Sequence, residues 1–252
     1  MDNIRIAREL LCVAKLLYGE FGKAKDLTDA EKERAKKKIH AVHTLSENIQ
    51  GLRNKVTRDL KSDDERTQLT ALVVAIMDKT AERVGNDASA EEDHVGITGL
   101  KKKHIRVEGS KVMLNYTGKS SVEHEKEFTN EAMAKILSGL LKRADKSDSF
   151  VMVTEDGFKI KADRINRYLD EFDVTAKDIR GYSANRMVIE CLKRQDKIKE
   201  ENDRHKKFNE IIKKVAERVG HGPATLRKHY LLPDLEKGYV KNGKIMDLKE
   251  AD

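Results

Sequence analysis

The stretch Lys103 to Ser121, KHIRVEGSKVMLNYTGKSS, decides the fold, because in it apolar residues recur at every second position. Ile105 and Val107 alternate with polar neighbours, Gly109-Ser110 supplies a turn, and Val112, Leu114 and Tyr116 alternate again. That pattern predicts a β-hairpin, with Gly118-Lys119-Ser120-Ser121 turning the chain out of its second strand.

Upstream and downstream the period is helical. Residues 4–18 space Ile4, Leu10, Leu11, Leu16 and Leu17 as a short amphipathic helix, and Thr28 with Glu31 is a capping box for a longer one through Leu45, Ile49 and Leu52. The run Lys32 to Lys38 on that helix reads as a solvated face. Ser62 with Glu65 makes a second capping box, ahead of Leu69, Leu72, Val73, Ile76 and Met77, and puts Arg83 near the end of a core helix. Residues 130–142 are expected as a helix, and Val151–Val153 and Phe158–Ile160 flank a turn at Asp156-Gly157. Thr175 with Asp178 caps a helix carrying Arg180, and one long charged helix is expected from Lys193 to Arg218, ended by Gly220 and Gly222. The expected fold class is mainly α with a small antiparallel sheet.

Composition narrows the function. Hydrophobic and charged residues each make up 38% of 252, enough for a core under a heavily solvated surface. Lys plus Arg exceed Asp plus Glu by 51 to 44, a net +7 that makes nucleic acid the first partner to test. Cys12 and Cys191 form no CxxC pair, so neither a disulfide framework nor a zinc site is supported. No uncharged run of membrane-spanning length is present, and no export signal opens the chain.

Several tempting motifs fail. Gly118-Lys119-Ser120 resembles the end of a phosphate-binding loop, but Met113 stands where its first glycine should be, and Gly238, Gly243 and Lys244 are followed by Ile245 instead of a hydroxyl. No nucleotide is expected. His40 and His43 lack a third ligand, and Asp63-Asp64-Glu65 and Glu91-Glu92-Asp93 suit helix starts or solvent, so no metal or other cofactor is expected.

What remains is one cationic group per element: Arg83, Lys119, Arg180 and His221, with Tyr230 nine residues after the histidine. Their order and flanks resemble the catalytic domain of type IB DNA topoisomerases of the poxvirus and bacterial kind. Asp78 to Asn86, DKTAERVGN, is similar to that family's first-arginine segment. His94, Gly96-Ile97-Thr98-Gly99-Leu100, His104 and Gly118-Lys119-Ser120 resemble its hairpin, and Asp178-Ile179-Arg180-Gly181-Tyr182 its second-arginine helix. Val215 to His221 and Tyr230-Leu231-Leu232-Pro233 resemble its histidine and nucleophile segments, so that the likeness covers about residues 45–235. It implies the DNA breaking-rejoining fold and relaxation of supercoiled DNA through a 3′-phosphotyrosyl intermediate.

The chemistry of the residues agrees with that implication. A phenol has a pKa near 10, so Tyr230 attacks a phosphodiester well only if cations meet its developing anion or a base takes its proton. Arg83 and Arg180 can bond the non-bridging oxygens, His221 can donate to one of them, and Lys119 is the candidate general acid for the leaving 5′-oxygen. Lys101, Lys102, Lys103, Arg106, Lys111, Arg227 and Lys228 are the candidate DNA contacts. The partner expected is double-stranded DNA, bound by a monomer or by a clamp that a second chain completes.

The nearest rival is a tyrosine recombinase, whose His-x-x-Arg pattern is here Lys177-Asp178-Ile179-Arg180; the other is a catalytically idle DNA-binding module. The expected organisation is a helical region 1–60 in place of the family's usual β-rich clamp, a catalytic domain 61–235 and a polar tail 236–252. The expected setting is cytoplasmic and nucleoid-associated, or viral or mobile-element encoded.

Overall fold

The computed structural model describes residues 29–85, 95–118 and 122–248. The expected helix over 4–18 and the Thr28 cap lie outside them. The chain forms two compact units, one of Asn48–Arg180 and one of the described residues up to Glu47 with those from Gly181 onward. Helix α1 (Asp29–Asp59) contributes to both.

The centre of the first, sheet-bearing unit is α2 (Glu65–Thr80), which is apolar nearly all round and buries Leu69, Leu72, Val73, Val74, Ile76 and Met77. Its N-cap is Asp64 and not Ser62: the Asp64 carboxylate accepts from Thr67 N at 3.0 Å and adds a charge suited to the helix dipole. The helix stops at Thr80, whose hydroxyl donates to Ile76 O at 2.7 Å, and Ala81 takes a left-handed φ of 57°. Arg83 therefore lies beyond the helix on an extended segment, a correction to the periodicity reading.

The expected hairpin forms as β1 (Ile105–Glu108) and β2 (Lys111–Gly118), with Glu108 opposite Lys111 and Gly109 at φ 59° in the turn. Gly118 to Ser121 does not leave the sheet. It leads into β3 (Val122–Thr129), antiparallel to β2 along its whole length, in the order β1-β2-β3. Helix α3 (Glu131–Arg143), capped by Asn130, packs Met133, Ala134, Leu137 and Leu140 against β1 and β2. The turn at Asp156-Gly157 forms, with Thr154 N and Ile160 N donating to Phe158 O and Met152 O at 3.0 Å each. Helix α4 (Ala162–Leu169) packs on α2. Helix α5 (Ala176–Lys193) starts at the expected Thr175–Asp178 pair, and Gly181 onward belongs to the second unit.

In that second, helical unit the charged run from Lys193 to Arg218 is two helices and not one, because α5 ends at Lys193 and α6 spans Glu201–Arg218. Residues 194–200 are good helix formers, so propensity gives no break. A tertiary contact does: Arg204, 8% exposed, donates through Nη1 to Ile198 O at 3.2 Å and also to Lys199 O. The same guanidinium donates to Val240 O at 2.7 Å and Lys241 O at 2.8 Å, the unpaired end carbonyls of α8 (Pro233–Asn242). Helix α7 (Pro223–His229) completes the unit, with α6 packing Phe208, Ile211, Ile212 and Val215 beneath its neighbours.

Candidate active site

The Gly220-His221-Gly222-Pro223 turn is built by helix-end chemistry. His221 N donates to Ala216 O at 2.8 Å and Gly220 N to Glu217 O at 3.0 Å, the paired bonds of a Schellman cap, and Gly220 takes φ 65° as that cap requires. Gly222 is then the N-cap of α7 and Pro223 its first residue, where a missing N–H costs nothing. The seven residues of α7 return the chain so that Tyr230 stacks on His221, with ring centroids 5.0 Å apart and planes 28° apart.

Asn185, fully buried on α5, fixes the backbone around the tyrosine. Its amide donates to Tyr230 O and Gly181 O, and its carbonyl accepts from Leu232 N, each at 2.8 Å. Gly181 leaves room there, since a Cβ would stand 3.9 Å from the Tyr230 ring. Truncation by Asn185→Ala leaves Leu232 N–H and a carbonyl unpaired, and is expected to cost about 2–3 kcal/mol; urea unfolding measures it, and an unchanged midpoint would refute the anchoring role. Lys38 departs from the solvated-face reading. It donates to Lys228 O at 3.4 Å, and burial pulls its ammonium down to about 8.

In the sheet-bearing unit, Arg83 is held by its backbone: Ile97 N donates to Arg83 O, and Thr98 N to Val84 O, both at 2.9 Å. Gly85 and Gly96 cross at this point, and a Cβ on Gly96 would fall 2.4 Å from Gly85 Cα. Arg180 is 3% exposed on α5. Both guanidiniums act on the Tyr116 hydroxyl: burial and the Glu82 carboxylate push that phenol well above its ordinary range, while Arg180 and Arg83 pull it back. The two arginines thus lie within electrostatic reach of one group, and Tyr116 stays protonated beside them.

Lys119 lies outside the described residues. Of the basic candidates, Lys103 and Lys101 face Asp148 at 2.6 and 3.9 Å, Lys102 donates to Ala144 O at the end of α3, Arg106 pairs with Glu108 and Lys111 with Glu127. Exposed pairs of this kind are weak and salt-screened, so a phosphate can compete for the cations. Arg227 pairs with Glu236 at 3.1 Å, and Lys228 is exposed.

Sequence reasoning missed Glu82, buried to 1%, which accepts from Tyr116, His124 and Lys126. It also missed Asn185. A signal for the first existed: in VEHEKEFT, His124 and Phe128 are buried while Glu123, Glu125, Glu127 and Thr129 are exposed, an alternation that hydrophobicity alone does not register. Among the described residues no helix is long and apolar enough to cross a membrane.

Known proteins can now be set beside this geometry. The DNA topoisomerase 1B of Acanthamoeba polyphaga mimivirus is 24% identical over 216 residues, covering 81% of this chain and 63% of that protein. The DNA topoisomerase 1B of Vaccinia virus is 26% identical over 159 residues, covering 63% and 49%. The chain thus spans between about half and two-thirds of the length of these viral relatives. The XerH site-specific recombinase, bound to its difH substrate, gives a TM-score of 0.45 at 13% identity over 86% of this chain and 54% of that one, a likeness too loose to bear on function. Residues 27–246 match the catalytic core of eukaryotic DNA topoisomerase I, and the chain belongs to that family.

Proposed function

We propose that the protein is a type IB topoisomerase that relaxes supercoiled double-stranded DNA without ATP. Tyr230 attacks a backbone phosphorus, the P–O5′ bond breaks, and a 3′-phosphotyrosyl link conserves the ester until the 5′-hydroxyl attacks it and releases the tyrosine. Arg83 and Arg180 carry the charge that grows on the non-bridging oxygens, His221 donates a further hydrogen bond, and Lys119 protonates the leaving oxygen. The observation that carries this reading is the His221–Tyr230 stack, held by a Schellman cap on one side and by Asn185 on the other.

The duplex is bound by one copy of the chain, with Lys101, Lys102, Lys103, Arg106, Lys111, Arg227 and Lys228 contributing phosphate contacts. The mimivirus and poxvirus relatives support a viral or mobile-element source. Relaxation of supercoiled plasmid by the purified chain in chelator, without nucleotide, tests the function; a purified, folded chain that leaves the plasmid supercoiled refutes it.

The division of labour has its own test, on duplex oligonucleotides with oxygen or sulfur at the 5′-bridging position of a mapped cleavage site. A thiolate leaves without a proton. Lys119→Ala should therefore slow the oxygen substrate by about 10²–10⁴ and spare the sulfur one. Arg83→Ala and Arg180→Ala should slow both by about 10²–10³. Equal slowing by Lys119→Ala would remove Lys119 from the acid's role.

A further inference from the structure

Glu82 is a carboxylate buried to 1% beside Arg83 in sequence, and its side chain is committed to the sheet. Its Oε2 accepts from the Tyr116 hydroxyl at 2.8 Å, while its Oε1 accepts from His124 Nδ1 at 2.8 Å and from Lys126 Nζ at 3.1 Å. One donor is on β2 and two are on β3, so a single charged group fastens both strands. Burial by itself would raise this carboxyl; the bond and charge of His124, the Lys126 ammonium and Tyr116 outweigh it and hold it below the usual range. A buried charge satisfied by three donors is rigid, and removing it leaves those donors exposed to a low-dielectric interior.

The hold extends along the strands toward their connection. Tyr116 and His124 are direct cross-strand partners whose rings stack at 5.0 Å and 5°. The His124 ring then lies over Gly118: a Cβ at that glycine would meet Nε2 at 2.5 Å and Cδ2 at 2.7 Å. Only a residue without a side chain admits the ring there. Gly118 pairs with Val122, and the next residue in the chain after Gly118 is Lys119. On the other side Glu82 is peptide-bonded to Arg83, whose carbonyl is fixed by Ile97 N at 2.9 Å.

We propose that Glu82 is a positioning residue, tying the strands that carry Lys119 to the segment that carries Arg83 through the path Glu82–His124–Gly118. The inference rests on the assignment of Lys119 as general acid. A purely structural role for Glu82 would slow cleavage of every substrate alike, whereas a role in placing the acid slows only a leaving group that needs a proton. Glu82→Gln keeps the volume and one acceptor oxygen but removes the charge that two cationic or polar donors share.

The test uses the same oxygen and sulfur oligonucleotides, with the full chain. Glu82→Gln should slow cleavage of the oxygen substrate by about 10–100-fold, part of the general acid's contribution, and leave the sulfur substrate within about threefold of wild type. Equal slowing on both, or no slowing on either, overturns the inference. Lys119→Ala run alongside separates the two claims: selective loss with Lys119→Ala but not with Glu82→Gln defeats only the positioning role, and non-selective loss with Lys119→Ala defeats both. If Glu82→Gln does not yield folded protein by circular dichroism, His124→Asn replaces it. That change keeps a donor for Glu82 and removes the ring over Gly118, and the same selective slowing is expected; its absence overturns the inference.

Discussion

Tyr230→Phe is expected to abolish plasmid relaxation and covalent adduct formation, by more than about 10⁴-fold on the scale seen when a covalent nucleophile is removed. The change deletes one oxygen and keeps the ring that stacks on His221, so α7, its Schellman neighbour and the Asn185 contacts remain. DNA binding should stay within a few-fold, because the cations that meet phosphate are untouched. Tyr116 offers the sharpest control, as a second tyrosine within reach of Arg83 and Arg180. Its hydroxyl donates to Glu82 and burial keeps its proton on, so it should not substitute. Recovery of the phosphotyrosyl peptide at Tyr116, or at any tyrosine other than Tyr230, would sink the assignment.

Gly96→Ala should be the most damaging single methyl group in the sheet-bearing unit. A Cβ there would stand 2.4 Å from both Gly85 Cα and Gly85 N and 2.9 Å from Arg83 O. All three are backbone atoms, which cannot swing aside as a side chain would. The Arg83 segment must move, at an expected cost of about 3 kcal/mol and a fall in Tm of about 6–12 °C. Displacing the guanidinium by an ångström should slow cleavage by a further 10²-fold or so. Gly139→Ala is the control: this exposed glycine on α3 has nothing within 4 Å of a Cβ, and the change should stabilise the helix by about 0.5–1 kcal/mol. Wild-type melting and cleavage for Gly96→Ala would show that the crossing yields.

The hairpin β1–β2 and most helices were legible because their apolar residues keep a period of 2 or 3.6. β3 was not, because its inward positions include His124 and Lys126, and a buried histidine is indistinguishable from a surface one until its acceptor is known. Glu82 is the same case from the other side: next to Arg83 it looks like an ordinary helical Glu-Arg pair, and only the left-handed turn at Ala81 takes the two out of the helix. The break between α5 and α6 was hidden for another reason, since it depends on where Arg204 finds carbonyls to bond. The site itself was legible in type and order, because Arg, Lys, His and Tyr spaced through distinct elements suit phosphoryl transfer whatever their packing. Its supports were not, since Asn185 and the Gly85–Gly96 crossing acquire meaning only from residues distant in sequence.

Helix α7 behaves as a ruler. Its seven residues set both the rise and the rotation between His221 and Tyr230, so the interval of nine is a geometric quantity and not a loop length free to drift. Adding or deleting one residue within Pro223–His229 would turn the tyrosine by about 100° around the helix axis and carry its hydroxyl off the imidazole. Inserting a full turn would restore the facing but move the ring about 5.4 Å along the axis. The nucleophile therefore tolerates changes of residue identity along α7 far better than changes of residue number.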